Sequence, residues 1–296
     1  MYPVRLTLTI AIFVVLFGLA FGSSLNVCIA RLPRHRSIVR PGSACPNCGA
    51  QIRAWDNVPL LSFVVLRGRC RSCRWRIPWR YPAVEIAAAA LFLLAYLRWG
   101  LTLAAAGAAV FSFLLLGLAV MDAETMRLPD AFTLPGIALG ILWSGLQFGF
   151  TRDWPQAIGD AAVLFGGFGI SVSKPFVHLK LMLMAMIASA FWALLAALII
   201  WLIRWVYYLL RRREGMGLGD AKLLAMIAAW LGPALTALTF VLGTFAAAVF
   251  GIALAARSRR SADPTRLAFG SFLCAAALYA LFAGRPIVNW YAGFFR

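Results

Sequence analysis

Long apolar runs separated by short polar segments dominate the chain. A helix needs about 20 residues, at 1.5 Å per residue, to cross the ~30 Å hydrocarbon core of a bilayer, and somewhat fewer when arginines flank the run. We predict eight such spans, at residues 6–29, 83–97, 101–121, 131–150, 188–210, 220–231, 234–256 and 267–283. The pattern therefore predicts an all-α polytopic membrane protein with about eight transmembrane helices.

A further apolar stretch, residues 160–187, is interrupted by glycines, a proline and lysines, and the pattern does not place it. Either a re-entrant hairpin or an interfacial segment would fit. The first span is about 24 residues long and lacks a small-x-small cleavage site, so we expect it to remain as an anchor.

The composition agrees with a membrane protein, because 63% of the residues are hydrophobic and 13% are charged. Such a chain cannot bury its apolar surface in one globule, which excludes a soluble protein. Lys and Arg number 28 against 10 Asp and Glu. Twenty of these cations lie in four places, namely residues 31–80, Arg127, residues 211–222 and residues 257–266.

Positive residues near helix ends mark the cytoplasmic side of a membrane protein. Eight alternating spans bring all four basic segments to that side only if both termini are periplasmic. The basic excess then reflects orientation and contact with lipid headgroups. No aromatic-basic reader motif accompanies it, so we expect no nucleic-acid partner.

The long polar segment between the first two spans contains two C-x2-C pairs separated by 21 residues, Cys45 with Cys48 and Cys70 with Cys73. Two such pairs can complete a closed four-thiolate zinc site. A loop rich in Arg and Pro lacks an apolar core, so a structural metal would stabilise it. Two disulfides are the alternative, which a reducing cytoplasm disfavours. We therefore predict a zinc-binding cytoplasmic domain at residues 31–80.

Acidic residues at span ends are the candidates for catalysis, because charges at a membrane are costly. Asp122 follows the third span, and Asp220 follows a glycine-rich segment at residues 215–219. Both are predicted at the cytoplasmic membrane face. Two adjacent carboxylates share a proton, so that one activates water and the other polarises a carbonyl, as in aspartic proteases. Alternatively, Asp220 merely caps the helix that begins at Ala221.

Other polar residues have simpler interpretations. Asp130 precedes the fourth span and is expected to cap its helix. Glu85, near the start of the second span, suggests a role in the fold or in a second activity. Cys28 and Cys274 lie inside apolar spans, where a thiol behaves as a small hydrophobe, so we assign them no role.

Several motifs together resemble the bacterial prepilin peptidases, the type IV prepilin leader peptidases that also N-methylate their product. They are FGSSLNV at 21–27, RLP at 31–33, the two cysteine pairs around DNVP at 56–59, RYPAVE at 80–85, Asp122 with LPD at 128–130, and GLGD at 217–220. They occur in the family's order and extend over most of the chain.

This resemblance implies a polytopic aspartic endopeptidase of the bacterial inner membrane. The family removes the basic leader of type IV prepilins and type II secretion pseudopilins at the cytoplasmic face, then methylates the new amino terminus with S-adenosylmethionine. Asp122 and Asp220 match the family's catalytic pair. The cysteine segment matches its amino-terminal cytoplasmic domain, which is often linked to zinc and to methyl transfer. S-adenosylmethionine is implied by the resemblance alone.

The predicted domains are thus a first helix at 1–30, the zinc-binding domain at 31–80, and a peptidase core at 81–296 with an unplaced insertion at 160–187. A proton-relay transporter using the two aspartates is one alternative. A non-enzymatic, zinc-bearing assembly factor of a secretion machine is another.

Overall fold

The computed structural model describes residues 4–150, 177–212, 217–257 and 267–294. These residues are almost entirely helical, with two isolated β-bridges and no strand among them. The α-helices are α1 (Val4–Arg31), α2 (Leu61–Val65), α3 (Arg80–Trp99), α4 (Leu103–Thr125), α5 (Asp130–Phe150), α6 (Val177–Arg211), α7 (Leu218–Arg257) and α8 (Phe269–Gly293). Short 3-10 helices lie at Leu32–Arg34 and Ala54–Asn57.

The chain divides into two compact units, Met1–Gly117 and Leu118–Arg296. The first unit contains α1, α3, most of α4 and the segment between α1 and α3, residues 32–79, which we call the cysteine lobe. The second unit contains the last two turns of α4 and the helices α5 to α8. The candidate carboxylates Asp122 and Asp220 both belong to this second unit.

Close contact between α1 and α3 organises the first unit. A Cβ atom on Gly18 or on Gly22 would lie 2.6 Å from a backbone Cα atom of α3, at Ala89 and Glu85 respectively. Only glycine lets the two backbones approach so closely, which is a common way for helices to pack in membranes. In the cysteine lobe, Arg71 binds the Asp56 carboxylate through two nitrogens, at 2.8 and 2.6 Å.

In the second unit, α7 packs against α5, α6 and α8. Its backbone leaves helical geometry at Gly232, where φ is 72° and ψ is 179°, and Pro233 follows. Phe240 packs against a buried cluster that includes Leu224 and Ala228. A straight helix would hold Phe240 about 18 Å from Ala228, at 1.5 Å per residue. The chain therefore reverses direction at Gly232, and α7 is a hairpin of two helical segments.

Six helices of the described residues are long and apolar enough to span a membrane, fewer than the eight predicted spans. Two differences explain why six such helices are found where eight spans were predicted. Helix α5 forms where the fourth span was predicted but is not one of the six. The spans predicted at 220–231 and 234–256 form the two arms of α7, which counts once because the helix is interrupted only at Gly232.

The structure describes the end of the stretch at 160–187, which the sequence pattern did not place. Its final residues, from Val177 onward, are the beginning of α6, a helix of 35 residues. The sequence pattern missed this start because Lys180 interrupts the apolar run. Residues 160–176 of the predicted insertion lie outside the described residues.

Candidate active site and metal site

Asp122 lies in the last turn of α4, and its side chain is fixed by the beginning of α8. The residue is 5% exposed. The backbone N–H of Ser271 donates to Asp122 Oδ2 at 2.7 Å, and the Ser271 hydroxyl lies 3.1 Å from the same oxygen. That hydroxyl also contacts the Ala119 carbonyl oxygen at 2.8 Å. Ser271 thus holds both the carboxylate of Asp122 and the helix that bears it.

Asp220 lies in the first turn of α7 and is 9% exposed. The helix begins at Leu218, so Asp220 is not at the N-cap position that the simpler interpretation required, although its carboxylate accepts a hydrogen bond from the Gly217 backbone. The two carboxylates are close enough for Asp122 to act electrostatically on Asp220. Among the described residues, neither has a salt bridge.

Two glycines bring these segments together around Leu128. A Cβ atom on Gly219 would lie 3.1 Å from Leu128 Cβ, and one on Gly270 would lie 3.1 Å from Leu128 Cδ1 and 3.0 Å from Asp122 Oδ2. The backbone beside each carboxylate therefore packs against the same leucine. Any larger residue at position 270 would press on the carboxylate of Asp122.

Asp130 is not part of this pair. It is the first residue of α5, and its carboxylate accepts a hydrogen bond from Lys222 Nζ at 2.6 Å rather than serving as the expected cap. Lys222 is two residues beyond Asp220, so the bond joins the first turns of α5 and α7. Both side chains are exposed, and an exposed ion pair contributes at most about 1 kcal/mol.

The buried aspartates can support acid–base chemistry. Two carboxylates that act on each other electrostatically, with no salt bridge to either among the described residues, favour a state in which they hold one proton between them. In that state one carboxylate can accept a proton from water while the other donates one to a carbonyl oxygen. The arrangement is thus suited to hydrolysis of a peptide bond.

The second site is the cysteine lobe, where two similar turns bring four thiols together. In the first turn Cys45 N–H donates to the Ala50 carbonyl, and in the second Cys70 N–H donates to the Trp75 carbonyl. Each turn has a left-handed residue after its second cysteine, Gly49 in one and Arg74 in the other. Each backbone hydrogen bond of the first turn has a counterpart in the second turn 25 residues later in the chain. The two turns are therefore a structural repeat.

The four sulfur atoms of Cys45, Cys48, Cys70 and Cys73 lie within 4.8 Å of one another. Cys45 Sγ and Cys73 Sγ are 3.8 Å apart. A tetrahedral ion with metal–sulfur bonds of about 2.3 Å requires sulfur–sulfur distances of about 3.8 Å. All six cysteines of the chain are free, so the predicted alternative of two disulfides is wrong. The cluster could hold a metal ion.

The thiols also differ in their readiness to ionise. A backbone N–H at Trp75, assisted by the Asn47 amide, lowers the pKa of Cys73 to about 6. A backbone bond at Ala50 acts in the same direction on Cys48, but its contacts with the other cysteines raise the pKa of Cys48 to about 11. One thiolate thus forms readily, whereas a complete set requires a cation among the sulfurs.

Comparison with known proteins identifies the family of this chain. Residues 16–99 match the Bacterial Peptidase A24 N-terminal domain, and residues 108–252 match the Type IV leader peptidase family. A prepilin leader peptidase/N-methyltransferase of Pseudomonas aeruginosa is 32% identical over 95% of this chain and 92% of its own length. The chain belongs to the type IV leader peptidase family. Proteins of the same name from Burkholderia pseudomallei strain 1026b and Aeromonas salmonicida strain A449 are 34% and 33% identical, over 93% and 94% of this chain and 85% and 92% of their own lengths. No solved structure matches the chain.

Sequence reasoning about this leader peptidase family member missed Ser271. Ser271 lies 149 residues from the aspartate that it contacts. The only signal was a serine in the first turn of the last predicted span, which is common.

Proposed function

We propose that this protein removes the leader peptide of type IV prepilins, with Asp122 and Asp220 as the catalytic pair. The supporting observation is that both carboxylates are buried, in electrostatic contact and free of any ion pair among the described residues, in a chain that belongs to the leader peptidase family. One carboxylate activates the attacking water, and the other donates a proton to the oxygen of the scissile carbonyl. Ser271 is a positioning residue for Asp122.

The proposed substrate fits this location. A prepilin consists of a basic leader followed by an apolar helix, so its scissile bond lies at the membrane surface. Asp122 lies near the end of one membrane-length helix and Asp220 near the beginning of another, which supports a position of the pair at the end of the apolar region. The same site would also accept type II secretion pseudopilins, which share this design.

Leader removal by the purified protein in detergent tests this proposal. Asp122→Asn and Asp220→Asn are each expected to abolish cleavage, because an amide can neither accept the proton of water nor hold the shared one. Asp130→Asn is the matched control, because the Asp130 carboxylate is exposed, pairs with Lys222 and is not part of the proposed catalytic pair. It should cleave at the wild-type rate. Cleavage that persists in Asp220→Asn would refute the proposed pair.

The four cysteines, we further propose, bind one structural zinc ion. Four thiolates close the coordination shell and leave no open position for a substrate, as in other structural zinc sites. The cysteine lobe has few buried residues, and a metal would supply the stability that a core does not.

Metal analysis of protein purified without chelator should find about one zinc per chain. Cys45→Ser is expected to lose the metal, because three thiolates bind zinc far more weakly than four. Cys28→Ser is the control, since that thiol lies in α1 outside the cluster, and it should retain the full complement. Wild-type protein without metal would contradict the zinc assignment.

Methyl transfer is the second proposed activity, supported by the names of the relatives. The chain would transfer a methyl group from S-adenosylmethionine to the amino terminus that leader removal exposes. We also propose that the protein resides in the bacterial inner membrane with both termini periplasmic and the aspartate pair facing the cytoplasm. The distribution of basic residues supports this orientation.

A further inference from the structure

The short helix α2 of the cysteine lobe has an exposed apolar face. Leu61, Val64 and Val65 are between 58% and 69% exposed. Their spacing of three and four residues places them on one side of the helix. Phe63 points away from this side, and its ring centroid lies 5.1 Å from that of Trp79. Contiguous apolar side chains that remain exposed in this way indicate a contact with a membrane or with another protein.

Glu85 fixes the depth of α2 relative to the membrane-spanning helices. The Leu60 N–H, directly before α2, donates to Glu85 Oε2 at 2.9 Å. Glu85 lies about 8 Å inside the beginning of α3, and its backbone packs against Gly22 of α1. Gly22 in turn lies about 14 Å inside the end of α1 at Arg31. Because both helices can cross a membrane, α2 begins beside their membrane-spanning turns rather than beyond them.

Two exposed tryptophans flank α2. Trp79 directly precedes α3, and Trp55 contacts α2 through its carbonyl oxygen, which accepts a hydrogen bond from Ser62 Oγ at 3.2 Å. Trp side chains are enriched at the headgroup level of bilayers, because the ring combines an apolar surface with an N–H donor. Their position agrees with a location of α2 at the boundary between headgroups and acyl chains.

The surroundings of α2 are strongly basic. Arg67 and Arg69 follow the helix, an isolated β-bridge pairs Arg69 with Arg76, and all three residues are exposed. The cysteine lobe contains nine arginines and one acid, Asp56, and Arg71 binds that acid. This excess of positive charge attracts anionic lipid headgroups. It also disfavours a second copy of the same lobe as the partner, because like charges across an interface repel.

We propose that the cysteine lobe docks on the anionic surface of the bilayer, with the apolar face of α2 inserted among the outer acyl chains. Leu61, Val64 and Val65 lie in the apolar layer, and Arg67 and Arg69 bind headgroup phosphates. Interfacial helices typically bury their apolar face about 5–10 Å into this boundary. The bond from Leu60 to Glu85 holds the docked helix against α3. This contact is independent of the proposed catalytic pair.

The accessibility of a spin label at position 64 tests the docking in the zinc-loaded, full-length protein. The nitroxide is attached to Val64→Cys in a Cys28→Ser background, in which bound zinc protects the clustered thiols and Cys274 is fully buried. The protein is placed in nanodiscs of phosphatidylcholine and phosphatidylglycerol. Oxygen concentrates in lipid, whereas the neutral complex of nickel with ethylenediaminediacetate remains in water. We expect the label to be about threefold or more accessible to oxygen than to the nickel complex.

Val39→Cys is the matched control in the same lobe. Val39 is 75% exposed, and its turn lies beyond the end of α1, where the Arg31 guanidinium donates to the Ser37 carbonyl oxygen at 3.0 Å. A label there should be accessible mainly to the nickel complex.

Substitutions separate the apolar contribution from the basic one. Leu61→Ser combined with Val65→Ser should move the label at position 64 into water. Arg67→Gln combined with Arg69→Gln should increase its accessibility to the nickel complex, as should nanodiscs of phosphatidylcholine alone. A full zinc content shows that each variant has a folded cysteine lobe.

Three results would overturn the proposal. A label at position 64 that is accessible mainly to the nickel complex in the anionic nanodiscs would show that α2 lies in water. Low accessibility to both reagents would show that another protein segment or a second copy of the chain covers α2. Equal accessibility in neutral and anionic nanodiscs would show that anionic headgroups are not the partner.

Discussion

Ser271 shows how a single distant residue can determine the geometry of Asp122. Its backbone N–H lies 2.7 Å from Asp122 Oδ2, and its hydroxyl bridges that oxygen and the Ala119 carbonyl. The backbone bond is present whatever the side chain. The hydroxyl, by contrast, can be removed without disturbing the backbone, which makes its contribution measurable.

Ser271→Ala should lower kcat for leader removal about tenfold and leave KM nearly unchanged. A hydrogen bond to a charged group contributes roughly 1.5–3 kcal/mol, and the lost contact orients the carboxylate rather than the substrate. Ser271→Thr keeps the hydroxyl and should restore most of the rate. Ser24→Ala is the control, because that hydroxyl donates to the Ala20 carbonyl oxygen of its own helix. A wild-type kcat in Ser271→Ala would show that the hydroxyl has no role.

The sequence pattern predicted which acidic residues and cysteines are candidates for the two sites. It did not predict which neighbouring residues position their side chains. The spacing of the cysteines was sufficient because their turns are local, with both bonded partners within five residues. Asp122 and Asp220 stood out as rare acids at span ends. Ser271 and the Lys222–Asp130 pair depend on contacts between helices far apart in the chain, which no local pattern records.

At the scale of elements, the reversal of α7 at Gly232 is the main departure from regular helices. Its first segment, from Leu218 to the reversal, covers about 21 Å, which is shorter than the hydrocarbon core. Irregular backbone at membrane depth is tolerated only inside protein, and Gly232 is buried. The spans predicted at 220–231 and 234–256 already leave a break at Gly232 and Pro233. It could not predict that Phe240 would return to pack near Leu224.

The first segment of α7 is secured against α5 by Trp230. Its Nε1 atom donates to the Gly136 carbonyl oxygen at 2.8 Å, and its ring stacks on Trp143. The ring also occupies the space beside Gly140, where a Cβ atom would lie 2.7 Å from Trp230 Cδ1 and 2.8 Å from Ala229 Cβ. Glycine at position 140 is therefore required for this contact.

Gly140→Ala should lower the thermal denaturation midpoint of the protein in detergent. Overpacking of a tight contact typically costs about 1–3 kcal/mol, which exceeds the roughly 1 kcal/mol that alanine gains in helix propensity. Gly251→Ala is the matched control in α7, because a Cβ atom there meets nothing within 4 Å. Its midpoint should stay the same or rise. Equal shifts in the two variants would contradict the proposed packing.

At the scale of the whole molecule, the distribution of basic residues and the number of membrane-spanning helices must be consistent with one orientation in the membrane. The reversal of α7 returns the chain to the side on which that helix began, so its two ends, with Lys222 in one basic segment and Arg257 in the other, lie on one face. The same face carries the aspartate pair, since Asp220 begins α7 and Asp122 contacts the beginning of α8. The positive charge of these segments predicts that this face is cytoplasmic.

Labelling with a membrane-impermeant thiol reagent in intact spheroplasts checks this orientation. Leu101→Cys lies between α3 and α4, is 78% exposed in its native form, and should be labelled from the periplasm. Met126→Cys follows Asp122 and should be protected until the membrane is permeabilised. The wild type, whose own thiols lie in helices or in the cysteine lobe, should stay unlabelled in intact spheroplasts. The reverse pattern would invert the proposed topology.

The central claim is that Asp122 and Asp220 act as one catalytic unit, and a double-mutant comparison of leader removal tests it most directly. Residues that function as a unit are strongly non-additive. We expect Asp122→Asn, Asp220→Asn and the double variant to show the same residual rate, about 10⁴-fold or more below the wild type. A double variant slower by the product of the two single effects, or a single variant that retains the wild-type rate, would contradict the account.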